Sequence, residues 1–273
     1  NLGDGHNVDT DGYYLTQTFS LDNYTIKSIT GYREQEEILN STYTGEAYTS
    51  LYDAARNSVR ETFQQEVRLS SDLDGPLNYV VGAAYYTDDV DFNVFGRFGF
   101  LPLASAAAIF DDILQIQATE QERESYAFYI DGTYEITDST RLSLGYRHTR
   151  DEKDFHRLDI GGAGGNPLSN FLFDLSQITG PFDNPLPESS FALNARRSAE
   201  FSANTYRIVV DHDFRDDIMV YASFATGFVA GGFAETCGIY GGCQPFNSEE
   251  NDSFEVGLKA DLMDGRMRLN LAL

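Results

Sequence analysis

Hydrophobic and polar residues alternate with a period of two through most of this chain. In 253–262 the positions Phe254, Val256, Leu258, Ala260 and Leu262 are apolar, and Glu255, Gly257, Lys259 and Asp261 lie between them. The same pattern sets Tyr126, Phe128, Ile130, Tyr134 and Ile136 against Ala127, Tyr129, Asp131, Thr133 and Glu135. Successive strand side chains point to opposite faces, so each segment reads as a strand with one greasy face and one wet face. Ten such strands are expected, at 12–21, 24–39, 59–71, 77–95, 125–136, 141–148, 206–214, 218–228, 253–262 and 266–273. No long amphipathic helix is expected; a short helix fits only within 103–118.

The connections alternate between tight and long. Short turns are expected at Asp22-Asn23, Leu73-Asp74-Gly75-Pro76, Thr137-Asp138-Ser139 and Arg215-Asp216-Asp217. Asp264-Gly265 suits a two-residue hairpin, because Asp-Gly tolerates positive φ. Long segments rich in Gly, Pro, Asn, Ser and acids lie at 40–58, 96–122, 158–201 and 229–250. Soluble domains rarely carry several loops beyond about 12–15 residues. Outer-membrane barrels do, with turns at one rim and long loops at the other. Several segments also exceed the usual ~5–6 residues of globular strands, whereas a tilted membrane strand needs about 9–11. Tyr13, Tyr14, Tyr32, Tyr79, Tyr146, Tyr221 and Phe224 near strand ends fit interfacial aromatic girdles.

Composition removes other classes. The 43 acidic and 19 basic residues give a formal net charge of −24, which excludes a surface built to neutralise nucleic-acid phosphates. Phe and Tyr make up 14% of the chain, too many for a disordered segment. No catalytic constellation, metal centre or cofactor site is expected. His6, His148, His156 and His212 lack zinc-ligand spacing. Gly161-Gly162-Ala163-Gly164-Gly165 lacks the strand-to-helix setting of a phosphate loop. Asp9-Thr10-Asp11-Gly12 opens like a calcium loop but lacks the distal Glu. Asp88-Asp89-Val90-Asp91 and Asp111-Asp112 read as rim charge, where divalent ions bridging to anionic lipopolysaccharide are an alternative.

Several stretches resemble the barrel domain of TonB-dependent outer-membrane receptors. They include Tyr221-Ala222-Ser223-Phe224-Ala225-Thr226-Gly227-Phe228-Val229-Ala230-Gly231-Gly232-Phe233 and Ser253-Phe254-Glu255-Val256-Gly257-Leu258-Lys259. Ile26-Lys27-Ser28-Ile29-Thr30-Gly31-Tyr32-Arg33, Phe63-Gln64-Gln65-Glu66-Val67-Arg68-Leu69 and Arg141-Leu142-Ser143-Leu144-Gly145-Tyr146-Arg147-His148-Thr149-Arg150-Asp151-Glu152-Lys153 resemble further strands of that family. The resemblance implies an all-β antiparallel transmembrane barrel of about 22 strands around a plug. This chain would supply about ten consecutive strands. Residues 1–273 are then an internal part of the barrel domain, with the plug, its TonB box and the other strands lying outside it.

The implied function is active import of a scarce extracellular ligand, by default a ferric siderophore, with energy delivered through TonB acting on the plug. Implied partners are TonB, the siderophore or another small ligand, outer-membrane lipid and lipopolysaccharide, but no nucleic acid. A passive porin and a β-rich surface adhesin or lectin are the alternatives, and enzymatic activity is not expected. Cys237 and Cys243 enclose a glycine-rich turn, Gly238-Ile239-Tyr240-Gly241-Gly242, and are candidates for a loop disulfide in an oxidising exterior. Phe233, Tyr240 and Phe246 are candidate ligand-contacting aromatics, alongside Tyr43, Tyr48, Tyr52, Phe171, Phe173 and Phe182. Arg207, Arg266 and Arg268 either attract an anionic chelate or pair with carboxylates of the wall.

Overall fold

The computed structural model describes residues 5–42, 52–98, 113–160, 193–234 and 243–273. They form one antiparallel sheet of ten strands in chain order: β1 Gly5–Leu21, β2 Tyr24–Thr42, β3 Tyr52–Ser71, β4 Leu77–Phe98, β5 Ile113–Thr137, β6 Thr140–Ile160, β7 Leu193–Arg215, β8 Ile218–Val229, β9 Glu249–Leu262 and β10 Met267–Ala272. Every strand pairs with its sequence neighbour, and the sheet is open, with β1 and β10 as its edges.

Register joins the alternating patterns into two continuous faces. Leu77↔Tyr134↔Leu142↔Val210 and Val81↔Ile130↔Tyr146↔Tyr206 place apolar side chains on one face across four strands. That outer face is bare: Phe128 is 62% exposed and Phe254 74%, whereas Ala127 on the opposite face is 2% exposed. Each large apolar side chain left in water forgoes about 1.5–3 kcal/mol. Phe19, Phe128, Ile130, Leu144, Ile208 and Phe254 alone would offset the whole stability of an ordinary domain, about 5–15 kcal/mol. Such a face requires an apolar surrounding.

The aromatics fix where that surrounding ends. Tyr24 and Tyr32, Tyr126 and Tyr134, and Tyr206 and Phe214 are each eight residues apart on the outer face of one strand. Eight residues span about 26 Å at ~3.3 Å per residue. At a tilt of about 40° that is about 20 Å of height, close to the apolar band of outer-membrane barrels. The upper ring is tied together laterally by Tyr85–Tyr126 and Tyr146–Tyr206 ring contacts at 5.1 and 5.5 Å. The strand portions between these rings have the length and the apolar outer face that membrane-spanning segments require. Above the upper ring β5 continues from Ser125 back to Ile113, about 40 Å further.

Four expectations need correction. The helix within 103–118 does not form at 113–118, which begins β5 as an extended strand paired with β4, while 99–112 lies outside the described residues. Strands β5, β6 and β7 run far beyond the alternating cores read from sequence, so the connections between β2 and β3, β4 and β5, β6 and β7, and β8 and β9 narrow to 43–51, 99–112, 161–192 and 230–248. The β9–β10 turn is four residues long, not two, and Met263, Asp264 and Gly265 all have positive φ. Tyr14 and Tyr221 lie on the inner face, not in a girdle: Tyr14 packs beside Gly31, and Tyr221 lies over Gly257.

Candidate functional site

The inner face carries charged and amide side chains, held in place by pairing across strands. Arg60 donates to both carboxylate oxygens of Asp88 at 2.6 Å. Arg123 donates to Asp151 at 2.7 Å, and Arg141 pairs with Asp211 and Asp213. Asp88 therefore is not a solvated rim charge. It sits 5% exposed beneath Arg60, while Asp89 and Asp91 alternate to the outer face. Arg207 donates to Asp131 at 2.8 Å and Arg268 to Asp261 at 2.7 Å, so both arginines are matched within the wall. Arg266 donates to the Met263 carbonyl inside its turn.

Glycines let large side chains lie flat on this wall. Tyr129 crosses Gly82 to donate to Glu66 at 2.6 Å. A Cβ at Gly82 would fall 2.5 Å from the Tyr129 ring, and one at Gly257 2.3 Å from the Tyr221 ring. The inner surface of the sheet thus stays open.

At the upper end, beyond the membrane-spanning segments, the β8–β9 connection folds inward as a strap against β6 and β7. Gly232 and Phe246 pair through two backbone hydrogen bonds, at 2.8 and 3.2 Å. Lys153 Nζ donates to the Gly231 carbonyl at 2.6 Å. Phe233, 7% exposed, stacks on Phe155 with ring centroids 4.9 Å apart. Cys243, 1% exposed and disulfide-bonded, joins Phe155, Ala195 and Phe233 in one apolar cluster. Burial, reinforced by Arg123, draws the Lys153 ammonium below its usual range, and its hydrogen bond to Gly231 partly replaces the lost water. Burial likewise raises the Asp159 carboxyl, against the opposing pull of Arg157.

Between the strap and strands β2–β6 lies a cleft of about 490 Å³. Its walls include Gln35, Arg56, Phe92, Gln121, Phe155 and Phe246. Of the sequence-derived candidates, Phe233 and Phe246 both line it, Phe233 as a buried anchor and Phe246 as an exposed wall. Cys237, Tyr240, Tyr43, Tyr48, Phe171, Phe173 and Phe182 lie outside the described residues, as do Asp111, Asp112 and the 161–165 glycine run. Tyr52 is described only in its backbone pairing with Phe98. Sequence reasoning missed Lys153, Phe155 and Arg60, the residues that shape the cleft. Arg60 lies within the expected strand 59–71 and Lys153 within a stretch resembling the family, but only the register of β3 to β6 brings them and Phe155 to one face.

On the outer face just above the upper aromatic ring, Asp11, Glu34, Glu61, Asp89, Glu122 and Asp154 stand opposite one another in register across six strands. Asp9 to Gly12 runs as extended strand within this belt and forms no calcium loop. Among the described residues, no three acidic, His or Cys side chains converge as a metal site. His148 and His212 stand on the outer face, hydrogen-bonded to Asn204 and Thr140.

Residues 1–273 match the family described as TonB dependent receptor-like, beta-barrel. The fold is similar to the ferric yersiniabactin uptake receptor FyuA from Yersinia pestis, with TM-score 0.75 and 14% identity over 98% of this chain and 35% of that one. It is similar also to the siderophore receptor PiuA from Acinetobacter baumannii, with TM-score 0.70 and 18% identity over 99% of this chain and 40% of that one. The copper transporter OprC gives TM-score 0.60 and 13% identity over 93% and 36%. This chain spans little more than a third of the length of these solved structures. No curated protein matches it in sequence.

Proposed function

This chain belongs to the family of TonB-dependent receptor β-barrels, and from that premise we propose that it builds an arc of wall and mouth in an outer-membrane importer. The plug and the remaining strands lie outside residues 1–273 in this reading. The cargo is a scarce extracellular ligand, a ferric siderophore in the first instance, and TonB delivers the energy through the plug. The observation that carries the proposal is the two-faced sheet. Its outer face is apolar between aromatic rings eight residues apart, and its inner face is a lattice of ion pairs. A water-soluble adhesin would have to cover Phe128, Ile130 and Leu144 with a second layer, and among the described residues every strand belongs to the one sheet.

The test is uptake in cells. A strain deleted for the full receptor gene should lose accumulation of one iron-chelate class under iron limitation. Complementation should restore it only when TonB is functional. Uptake that persists without TonB would move the reading to a passive channel.

A further inference from the structure

Charge in this fold is sorted by position. The connections 43–51, 99–112, 161–192 and 230–248 contain no Lys or Arg, although the chain has 19 such residues. They carry instead Glu46, Asp111, Asp112, Asp183 and Glu235 among many aromatics. Arg60, Arg123, Arg141, Arg207 and Arg268 point inward from the strands, where carboxylates of the wall answer them. The outer face below the mouth holds the in-register carboxylate row.

The cleft beneath the strap agrees with this sorting. Of its cations, Arg60 is held by Asp88 and Lys153 by the Gly231 carbonyl, and Arg56 is also engaged. Its one other acid, Glu37, lies 2.7 Å from His6. What the cleft offers a ligand is the ring surface of Phe92 and Phe246 with the amides of Gln35 and Gln121.

We propose that this mouth discriminates by charge: it excludes multiply anionic ligands and takes neutral or cationic ones that present aromatic or apolar surface to the cleft. This deepens the importer reading and rests on it. The field of connections that carry carboxylates and no bases, on a chain of net charge −24 whose cleft cations are already engaged, slows a trianion on approach. A neutral chelate meets no such barrier and gains contact area with the phenylalanines.

Two measurements on the full receptor in detergent test this. The first attaches a nitroxide at Asn247→Cys on the exposed strap and compares collisions with a neutral nickel chelate and with the trianionic chromium trisoxalate. The neutral agent should collide about tenfold more often at ~0.01 M salt, where fields reach about 30 Å, and the gap should close near 1 M. Equal collision rates at low salt overturn the proposal. The second measures retention of a neutral ferric trihydroxamate, a trianionic ferric tricatecholate, a neutral corrinoid and dianionic haem. The tightest-held compound should be neutral and insensitive to salt. Tighter retention of either anion, weakening as salt rises, overturns the proposal. Retention of the corrinoid alone would sink the iron reading and leave the charge inference standing.

Discussion

Arg207 on β7 reaches over β6 to grip Asp131 on β5, with its Nη2 2.8 Å from both carboxylate oxygens. Gly145 is the residue of β6 directly between them, paired with Asp131 on one side and Arg207 on the other. A Cβ there would lie 2.5 Å from Asp131 Oδ2 and 3.2 Å from Arg207 Cβ. Gly145→Val should therefore break the clasp and overpack the wall, costing about 1–3 kcal/mol. The full receptor should lose its folded, fast-migrating band in unheated gels at a lower temperature. An unchanged transition would show that the clasp is dispensable.

The membrane reading makes a face-specific prediction. Ile130 lies on the outer face midway between Tyr126 and Tyr134. Arg at that depth costs about 2–4 kcal/mol. Ser223 on the inner face stands opposite Glu255. Ile130→Arg should cut the yield of folded receptor in outer membranes sharply, and Ser223→Arg should leave it near the parent. Equal loss from both would argue that the two faces share one environment.

The acidic row predicts an unusual pH response. Burial, then Glu61 and Asp88, raise the Asp89 carboxyl above its ordinary value. A folded value above the unfolded one means the native state holds the proton more tightly. Stability is then lost as pH climbs through that window and recovered below it. Asp89→Asn should raise the thermal transition at neutral pH, by about 0.2–1 kcal/mol for each relieved cross-strand pair. The gain should vanish near the ordinary carboxylate range. Raising the salt concentration should narrow the difference, because salt screens charges exposed along the row. A variant less stable than the parent at neutral pH would contradict the repulsion.

Much of the sheet could be read from residue order, and the reasons it could not be read throughout are physical. Between the girdles lipid and water enforce strict alternation, so 125–136 and 253–262 are unmistakable. Above them both faces are wet or covered by loops. In β6, Asp151, Glu152, Lys153 and Asp154 follow one another without alternation, yet the ladder to β7 holds to Asp159. The inward fold of the strap was equally hidden. It depends on contacts from Gly231 and Phe233 to Lys153 and Phe155, some eighty residues apart in sequence and joined only by register. Phe233 and Phe246 could be picked out as loop aromatics, but not that one anchors and the other lines the cleft.

The distribution of basic residues predicts a protease pattern. Trypsin needs Lys or Arg, and the four long connections have neither. On intact cells trypsin should leave this segment of the receptor whole. Chymotrypsin has Phe and Tyr targets in all four connections. Tryptic cuts mapping within 43–51, 99–112, 161–192 or 230–248 are ruled out by sequence. Tryptic cuts at Arg207 or Arg147 would place the inner face outside the barrel and contradict the orientation.

The strap supplies the last prediction. Lys153 holds the Gly231 carbonyl, and a side chain at Gly231 would meet the Phe246 carbonyl oxygen and the Phe201 ring. Lys153→Met keeps the length of the side chain and removes the donor, leaving the carbonyl unanswered at a cost of about 1–3 kcal/mol. We propose Cys237 as the partner of Cys243, and that closure contributes about 2 kcal/mol by restricting the unfolded loop. Without reductant the full receptor should show no thiol at either position. Lys153→Met alone should speed chymotryptic cutting near Phe246 modestly. Lys153→Met combined with Cys243→Ser should speed it by more than the two changes multiplied, because each fastening limits opening while the other is broken. Simple multiplication of the two rates would mean that the fastenings act on independent openings, and the strap would not be a single cooperative unit.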